Sequence, residues 1–515
     1  LASLVAEEKD YPFPKAANIK YPLITVGALQ FNARAYPALI QNDRVCKAKV
    51  NGHDADGQKS ARADRVSEFL SWQLTSEDPN WEDDTDRLTL QVAILGSMFR
   101  KVYWDPVQKR QASRLLTPDR LVRAYRGRSL EDVPRISEML SLYPYEIEER
   151  IRDGRFTAFD YGDATTSDKV AHGQEPNAND DQSPHEFIEQ HRLLDLDDDG
   201  YPEPYIVTVH RGSEKTCRIV ANFDENSVTV TPDGKISAIR KRDYYRQYIF
   251  FPSPDGGQYG MGLGSLLKST NEAINGTMNQ MLDAGHLANT QGGFISAQAG
   301  IKEKSFRFSR GEFKVLNIGA MPLNQAIMPM SFSGPSPVLF QLLGLLIEQG
   351  KEVSSTKDVL TGDTGGKVMA PTTTLALIEQ GMKVFNAIFK RIHRAMKGEL
   401  DLHAKINFEH LTPEQYNAFF DDPQQQFDPK ADFDMRSMDL TPISDPSIST
   451  QMQQMAQAQV AREIGAGKPY IDQMELDKRA FAAAGITDIE KLFVKPDPKQ
   501  AAFMEVMQKM SVHEA

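Results

Sequence analysis

"TLALIEQGMKVFNAIFKRIHRAMK", residues 374–397, carries the clearest periodic signal in the chain. Leu375, Ile378, Met382, Phe385, Phe389, Ile392 and Met396 step by three and four residues, which places them on one face of an α-helix. The same spacing is a heptad seam, suited to packing against other helices. The polar faces carry Lys383, Lys390, Arg391, Arg394 and Lys397. Phe385 and Phe389 fall on the apolar seam, so the polar faces offer no Phe, Tyr or Trp between those cations for stacking on bases. A solvated face, or one turned to the acidic surface of a neighbouring copy, fits them better than nucleic acid.

Two more helices precede this one. Residues 263–290 place Leu263, Leu267, Ile274, Met278, Met281 and Leu282 on one face, over a length of roughly 40 Å. Residues 337–357 set Leu339, Leu342, Leu343, Leu346 and Val353 on one side. Between the two, residues 291–335 lose the helical period and show short β-type pieces around Gly293, Gly311, Gly319, Pro322 and Pro329. "TGDTGGKVMAPTT" (361–373) reads as a flexible interruption before the seam helix.

Further upstream the period changes to two. Residues 205–209, 217–221, 228–231 and 244–251 are rich in β-branched and aromatic side chains, with turn signals such as Pro232-Asp233-Gly234 between them. They predict an antiparallel sheet over 185–252, closed by the glycine-rich stretch 253–264. The first 160 residues read as mixed helix with short linkers: 24–39, with Pro37 at its end, then 61–74, then 86–100 with Leu88, Val92, Leu95 and Phe99. An acidic turn, 75–86, precedes the last of these and supplies Asp residues to cap it. Residues 161–184 are polar and read as a mobile surface loop. From 405 onward the chain is rich in Gln, Asp and Met, with Ser447 or Ser449 as a helix N-cap and a short helix at 501–510. The fold class is α+β, mainly helical.

At 515 residues the chain is long enough for about three to four folding units. With 59 Lys+Arg against 71 Asp+Glu, its net charge of −12 argues against a protein that clasps DNA, because neutralising phosphates takes clustered cations. It does not argue against one that DNA passes without sticking. The longest apolar patch, 342–347, is interrupted by Gly344 and closed by Glu348, so no membrane span is expected. Cys46 and Cys217 stand far apart, with neither metal spacing nor a disulfide framework, as suits assembly in a reducing cytoplasm. Because the first residue is Leu1, the natural start is expected upstream.

Most candidate chemistry fails on spacing. "TGDTGGKV" has Thr361 where a phosphate loop needs its first glycine, and Val368 where it needs a hydroxyl. In "GMGLGSLL" the third glycine, Gly264, falls one position early for a dinucleotide fingerprint, and no βαβ rhythm surrounds it. His185 and His191 are six apart, where a zinc pair on one helical face needs four. No Gly-x-Ser-x-Gly elbow is present, so no catalytic residue is assigned and the chain is read as a non-enzyme. The one metal-like motif is "DLDDDGYPEPY": Asp195, Asp197, Asp199 and Gly200 match positions one, three, five and six of a calcium loop, with Glu203 at position nine. Position twelve, which should be a bidentate Glu, is Ile206. The alternative is a plain acidic hairpin loop.

The order of elements is distinctive: mixed helical segment, sheet, long helix, small β-excursion, long helix, glycine loop, seam helix, Gln/Met-rich tail. It resembles the portal (head-to-tail connector) proteins of tailed bacteriophages, most closely the podovirus type. The pieces that carry the likeness are "YPFPKAANIKYPLITVGALQFNARAYPALI" (11–40), "LDLDDDGYPEPYIVTV" (194–209), "APTTTLALIEQG" (370–381) and "ISDPSISTQMQQMAQAQ" (443–459). The resemblance implies a wing over 1–262, stem helices at 263–290 and 337–357, a clip over 291–336, a tunnel loop over 358–373, a wing helix over 374–404 and a short crown over 405–515.

The resemblance also implies a ring, of twelve copies in this family, at one vertex of the virion capsid, assembled in the host bacterial cytoplasm. Its expected partners are the terminase large subunit, neck and tail adaptor proteins, the major capsid and scaffolding proteins, and double-stranded DNA without sequence specificity; no membrane is involved. Lys357, Thr361, Lys367 and Thr372 are expected to face DNA from the tunnel loop. Arg307, Arg310, Glu312 and Lys314 are expected to meet partners at the clip. No cofactor is expected beyond a structural divalent cation at Asp195, Asp197, Asp199 and Glu203. Two alternatives belong to other classes: a nucleotide-binding enzyme using the glycines at 260–264 or 362–366, and a monomeric adaptor whose seam at 375–396 is satisfied within one chain.

Overall fold

Pro22 precedes the first helix, α1 (Leu23–Leu39), and Leu23, Ile24, Ala28, Phe31, Ala35 and Leu39 turn to one side and are buried. The computed structural model describes residues 9–164, 182–289, 292–295, 327–330, 333–353, 371–443, 458–459, 461–465 and 473–483, apart from 12, 41–43, 55, 125, 126, 128, 225, 226, 233–235 and 422–425. Of 292–295, 327–330 and 371–383 only the backbone course is described.

Strand β1 (Cys46–Val50) follows, then α2 (Gln58–Trp72), which runs through a π-turn (Gln73–Glu77) to Asp78. Asp78 caps α3 (Pro79–Leu95): its carboxylate accepts the Asn80 amide, and Pro79 sits where a helix has no use for an amide hydrogen. Gly96, at φ +88°, ends α3 in the left-handed conformation that glycine takes without strain.

What comes next corrects the expected helix over 86–100. The helix begins earlier and stops at Leu95, and Phe99 belongs to strand β2 (Ser97–Asp105). Met98, Phe99 and Val102 mimic one helical face in sequence, but Gly96 breaks the helix before them. The strands β3 (Arg110–Leu116), β4 (Leu121–Arg123) and β5 (Arg135–Leu142) follow, then α4 (Pro144–Arg152). The first 160 residues are therefore much richer in strand than their sequence suggests.

After α4 come β6 (His185–Leu194), β7 (Glu203–His210), β8 (Thr216–Ala221), β9 (Val228–Val230), β10 (Ile236–Ile239) and β11 (Tyr245–Ile249). Pairing is antiparallel, as expected, but the strands after 185 do not form one sheet. A five-stranded sheet runs β4-β5-β6-β7-β8, while β11 joins β2 and β3 in a three-stranded sheet and β9-β10 is a separate ribbon. Register Tyr245↔Lys101 through Ile249↔Ser97 ties residues that are some 150 apart in sequence. Such pairing leaves no trace in local periodicity.

Helix α5 (Leu263–Asn289) leads to β12 (Gly292–Ile295), which pairs with β13 (Ile327–Met330). Then come α6 (Pro337–Val353), α7 (Pro371–His410), α8 (Pro413–Phe420), α9 (Pro429–Asp432), β14 (Met438–Pro442) and α10 (Gln473–Ala483). Strand β14 returns to pair with β1, and Tyr416, Phe433, Met438 and Leu440 enter the same core as α1–α3. Residues 405–443 are thus continuous with the first hundred residues. No helix among the described residues is long and apolar enough to cross a membrane.

The seam of α7 meets its own chain. Phe385, Phe389, Ile392 and Met396 are buried, and Phe385 lies against Phe31 of α1 with ring centroids 5.2 Å apart. From Phe385 onward the seam is therefore packed within one chain. Further along, Glu399 is fully buried and receives Trp81 Nε1 at 2.8 Å, Arg100 Nη1 at 3.1 Å and the Tyr248 hydroxyl. One carboxylate thereby joins α7 to α3, β2 and β11.

Burial alone would raise the pKa of Glu399, but the Arg100 charge, the neighbouring His403 ring and the hydrogen bond from Tyr248 bring it down to about 2. Since this lies below the ordinary 4.5, the stability it contributes is complete above pH 4.5 and disappears as pH falls through about 2. Glu399→Gln is expected to cost about 3 kcal/mol at pH 7, as for other broken buried pairs. Urea unfolding should show the gap between wild type and variant narrowing as pH drops from 4.5 toward 2.

Candidate functional site

The acidic loop between β6 and β7 is the one cluster of metal-type ligands among the described residues. Oxygen atoms of Asp195, Asp197 and Asp199 lie within 4.8 Å of one another, as the calcium-like spacing expects. The turn is made by Asp198 and Gly200, both at positive φ, and held by Asp195 Oδ2 accepting the Gly200 amide and Asp199 Oδ1 the Tyr201 amide. Partial desolvation and then the Asp199 charge push the Asp197 carboxyl above its ordinary pKa. Glu203 falls outside the cluster. It accepts the Tyr205 hydroxyl at 2.6 Å, a bond that pushes that phenol up to about 12. Ile206, at the position of the missing bidentate ligand, is a buried residue of β7.

Three carboxylates with no bidentate fourth could hold a hard divalent cation only weakly, in the millimolar class of open calcium sites.

The glycines at 260–264 have a structural use. A Cβ on Gly262 would stand 2.3 Å from the Ile94 carbonyl oxygen, one on Gly260 2.5 Å from that of Gly96, and one on Gly264 2.7 Å from Ile94. Backbone at the C-terminus of α3 fills the space that a phosphate would need. The glycines let β11 lead into α5 across the end of α3. The second glycine loop, 362–366, lies outside the described residues, as do Lys357, Thr361, Lys367, Arg307, Arg310, Glu312 and Lys314. Thr372 is in the first turn of α7, where only the backbone is described.

Two features of the helix pair α5 and α6 were not read from sequence. The first is a polar row. Asn275, Asn279 and Asp283 of α5 accept the amides of Tyr21, Ile19 and Ala17 at 2.7, 2.7 and 2.8 Å. Four residues of helix rise about 6 Å and two residues of extended chain about 6.6 Å, so every fourth helical side chain meets every second amide. Asn, Asn and Asp at four-residue intervals are the signal that could have shown it.

The second is the outer face of α6. Leu343, Leu346 and Ile347 pack on the core, and Gly350 lets Leu23 approach to a distance no side chain would permit. Leu342 and Val353, expected on that same side, instead point outward with Val338, Phe340 and Leu345; Val338 is 68% exposed, Val353 54% and Leu345 52%.

No known protein family matches the chain, and no curated protein matches it.

Two outcomes are expected. Gly262→Ala should lose at least about 1–3 kcal/mol through overpacking, read as a lower urea midpoint. A calcium titration followed by thermal melting should saturate only at millimolar concentration, and Asp197→Asn should abolish its effect.

Proposed function

We propose that the chain is the subunit of a portal ring of a tailed bacteriophage: a non-enzymatic conduit for double-stranded DNA, a platform for the packaging terminase and then a joint to the tail. The observation that carries this reading is the outer face of α6. Val338, Leu342, Leu345 and Val353 recur at intervals of four, three and eight residues, so they form one stripe along the helix. An apolar stripe of this kind is a place for another surface.

The order of elements supports the same reading. Two long helices, α5 and α6, flank a β-paired excursion at β12 and β13, as stem helices flank a clip. A closed ring uses one interface repeatedly, with different patches on its two sides. Each subunit would then cover the α6 stripe of its neighbour. The packing of residues 94–96 against the 260–264 glycines counts against the nucleotide-enzyme alternative at that loop. The adaptor alternative gains from the burial of Phe385 to Met396 within one chain, and would give the α6 stripe to a partner of another kind.

Light scattering with negative-stain imaging of the same peak tests the proposal. The expected result is a ring of about a dozen subunits with an axial hole. Leu345→Asp, at an exposed position, should break the ring into subunits that keep the wild-type far-ultraviolet circular dichroism spectrum. Wild-type protein that stays monomeric at every concentration and still binds a single soluble partner would favour the adaptor.

A further inference from the structure

Helices α1 and α7 pack by their inner faces, with Phe31 of α1 against Phe385 of α7 and against Phe250 beyond β11. The outer face of each helix lies away from that contact and is open to solvent. On α1 the outer residues are Val26, Leu29, Ala33 and Pro37, all exposed and apolar, at spacings of three and four. On α7 they are Val384, Ala387, Lys390 and Arg394, also exposed and at spacings of three and four.

The two sides differ in charge. Beside the α1 stripe stand Glu82, Asp83 and Asp86 of α3. Tyr36 donates its hydroxyl to Glu82 Oε1 at 2.6 Å, and Asn32 donates to Asp86 Oδ1 at 2.8 Å, so the acids border that stripe. Burial, the hydrogen bond to Glu82 and the charges of Glu82, Asp86 and Asp83 all push the Tyr36 phenol above its ordinary pKa. Among the described residues no cation pairs with these three acids and no anion pairs with Lys390 or Arg394. Of the basic groups on those elements, Arg87 lies toward Asp84, Arg391 donates to the Phe250 carbonyl and Lys397 pairs with Asp439, while Arg34 of α1 is half-buried on the flank of the stripe away from Tyr36 and Asn32.

We infer that these are the two halves of one interface between copies of this chain: the α1/α3 face of one copy, apolar with an acidic border, receives the α7 face of the next, apolar with a basic border. Unlike and complementary faces are what a head-to-tail contact requires. The inference rests on the ring reading and adds to it which surfaces meet. It adds this contact to the one made by the α6 stripe.

A charge-reversal cycle tests it on the full-length chain, read by light scattering across a dilution series. Asp83→Lys with Asp86→Lys, and separately Lys390→Glu with Arg394→Glu, should each raise the concentration for half-assembly at least about tenfold. The four changes together should return it to within about threefold of wild type. Leu29→Asp, which alters the apolar stripe and leaves the reversed charges alone, should weaken assembly to a similar extent. Unchanged far-ultraviolet circular dichroism spectra keep these effects apart from misfolding.

Rings of normal strength from both reversed pairs, or no recovery on combining them, would overturn the assignment of faces while the ring stands. Intact rings from the Lys390/Arg394 variant that no longer retain a double-stranded DNA fragment would assign those cations to nucleic acid and overturn it as well. Wild-type protein that never assembles would remove the ring reading and the interface together.

Discussion

Glu399 sits within α7 with no access to water, where an unpaired carboxylate would cost several kcal/mol. It is tolerated because Arg100, Trp81 and Tyr248 converge on it from three other elements. Those partners are correct only if α3, β2 and β11 stand in one arrangement around α7. A hydrophobic contact tolerates sliding, whereas this one specifies position. Farther along the helix the same polar logic continues: His403 Nδ1 meets Gln111 at 2.9 Å, and Asn407 donates to Gln73 at 2.6 Å.

A second buried cluster joins the two sheets. Lys101 of β2 lies 2.7 Å from both Glu138 of β5 and Glu189 of β6, and the Tyr245 hydroxyl of β11 donates to Glu138 at 2.7 Å. Burial opposes the ammonium charge, but the two carboxylates overcome it and hold the pKa of Lys101 above its ordinary value. β2 therefore contributes Arg100 toward the helices and Lys101 toward the five-stranded sheet. Adjacent residues on opposite faces of one strand anchor the two halves of the architecture.

The parts of this fold legible in the sequence are those set by local periodicity. The long helices and the antiparallel hairpins after 185 fall where apolar spacing puts them, within a few residues. The parts that were missed depend on distant partners. The first four residues of β2 read as helix because Phe99 continues the spacing of Leu88, Val92 and Leu95, and the return of β14 to β1 joins residues about 390 apart. Of the candidate site, the Asp195–Asp199 cluster was visible because loop ligands follow sequence order, whereas Glu203 turned to Tyr205, a competitor that spacing cannot weigh. The α7 seam was read correctly as a packing face, but periodicity says nothing of which chain supplies the partner.

The row of Asn275, Asn279 and Asp283 grips the N-terminal segment through its amides at 17, 19 and 21. A helix that holds a strand this way reads spacing and ignores side chains. The segment's own sequence is then free to change without loosening the grip, on one condition: the three gripped positions must keep their N–H. Proline is the one residue that lacks it, and the prolines here stand at 12, 14 and 22, outside the gripped positions. The constraint on this stretch is thus a grammar of where proline is forbidden, while the vocabulary elsewhere in it stays open.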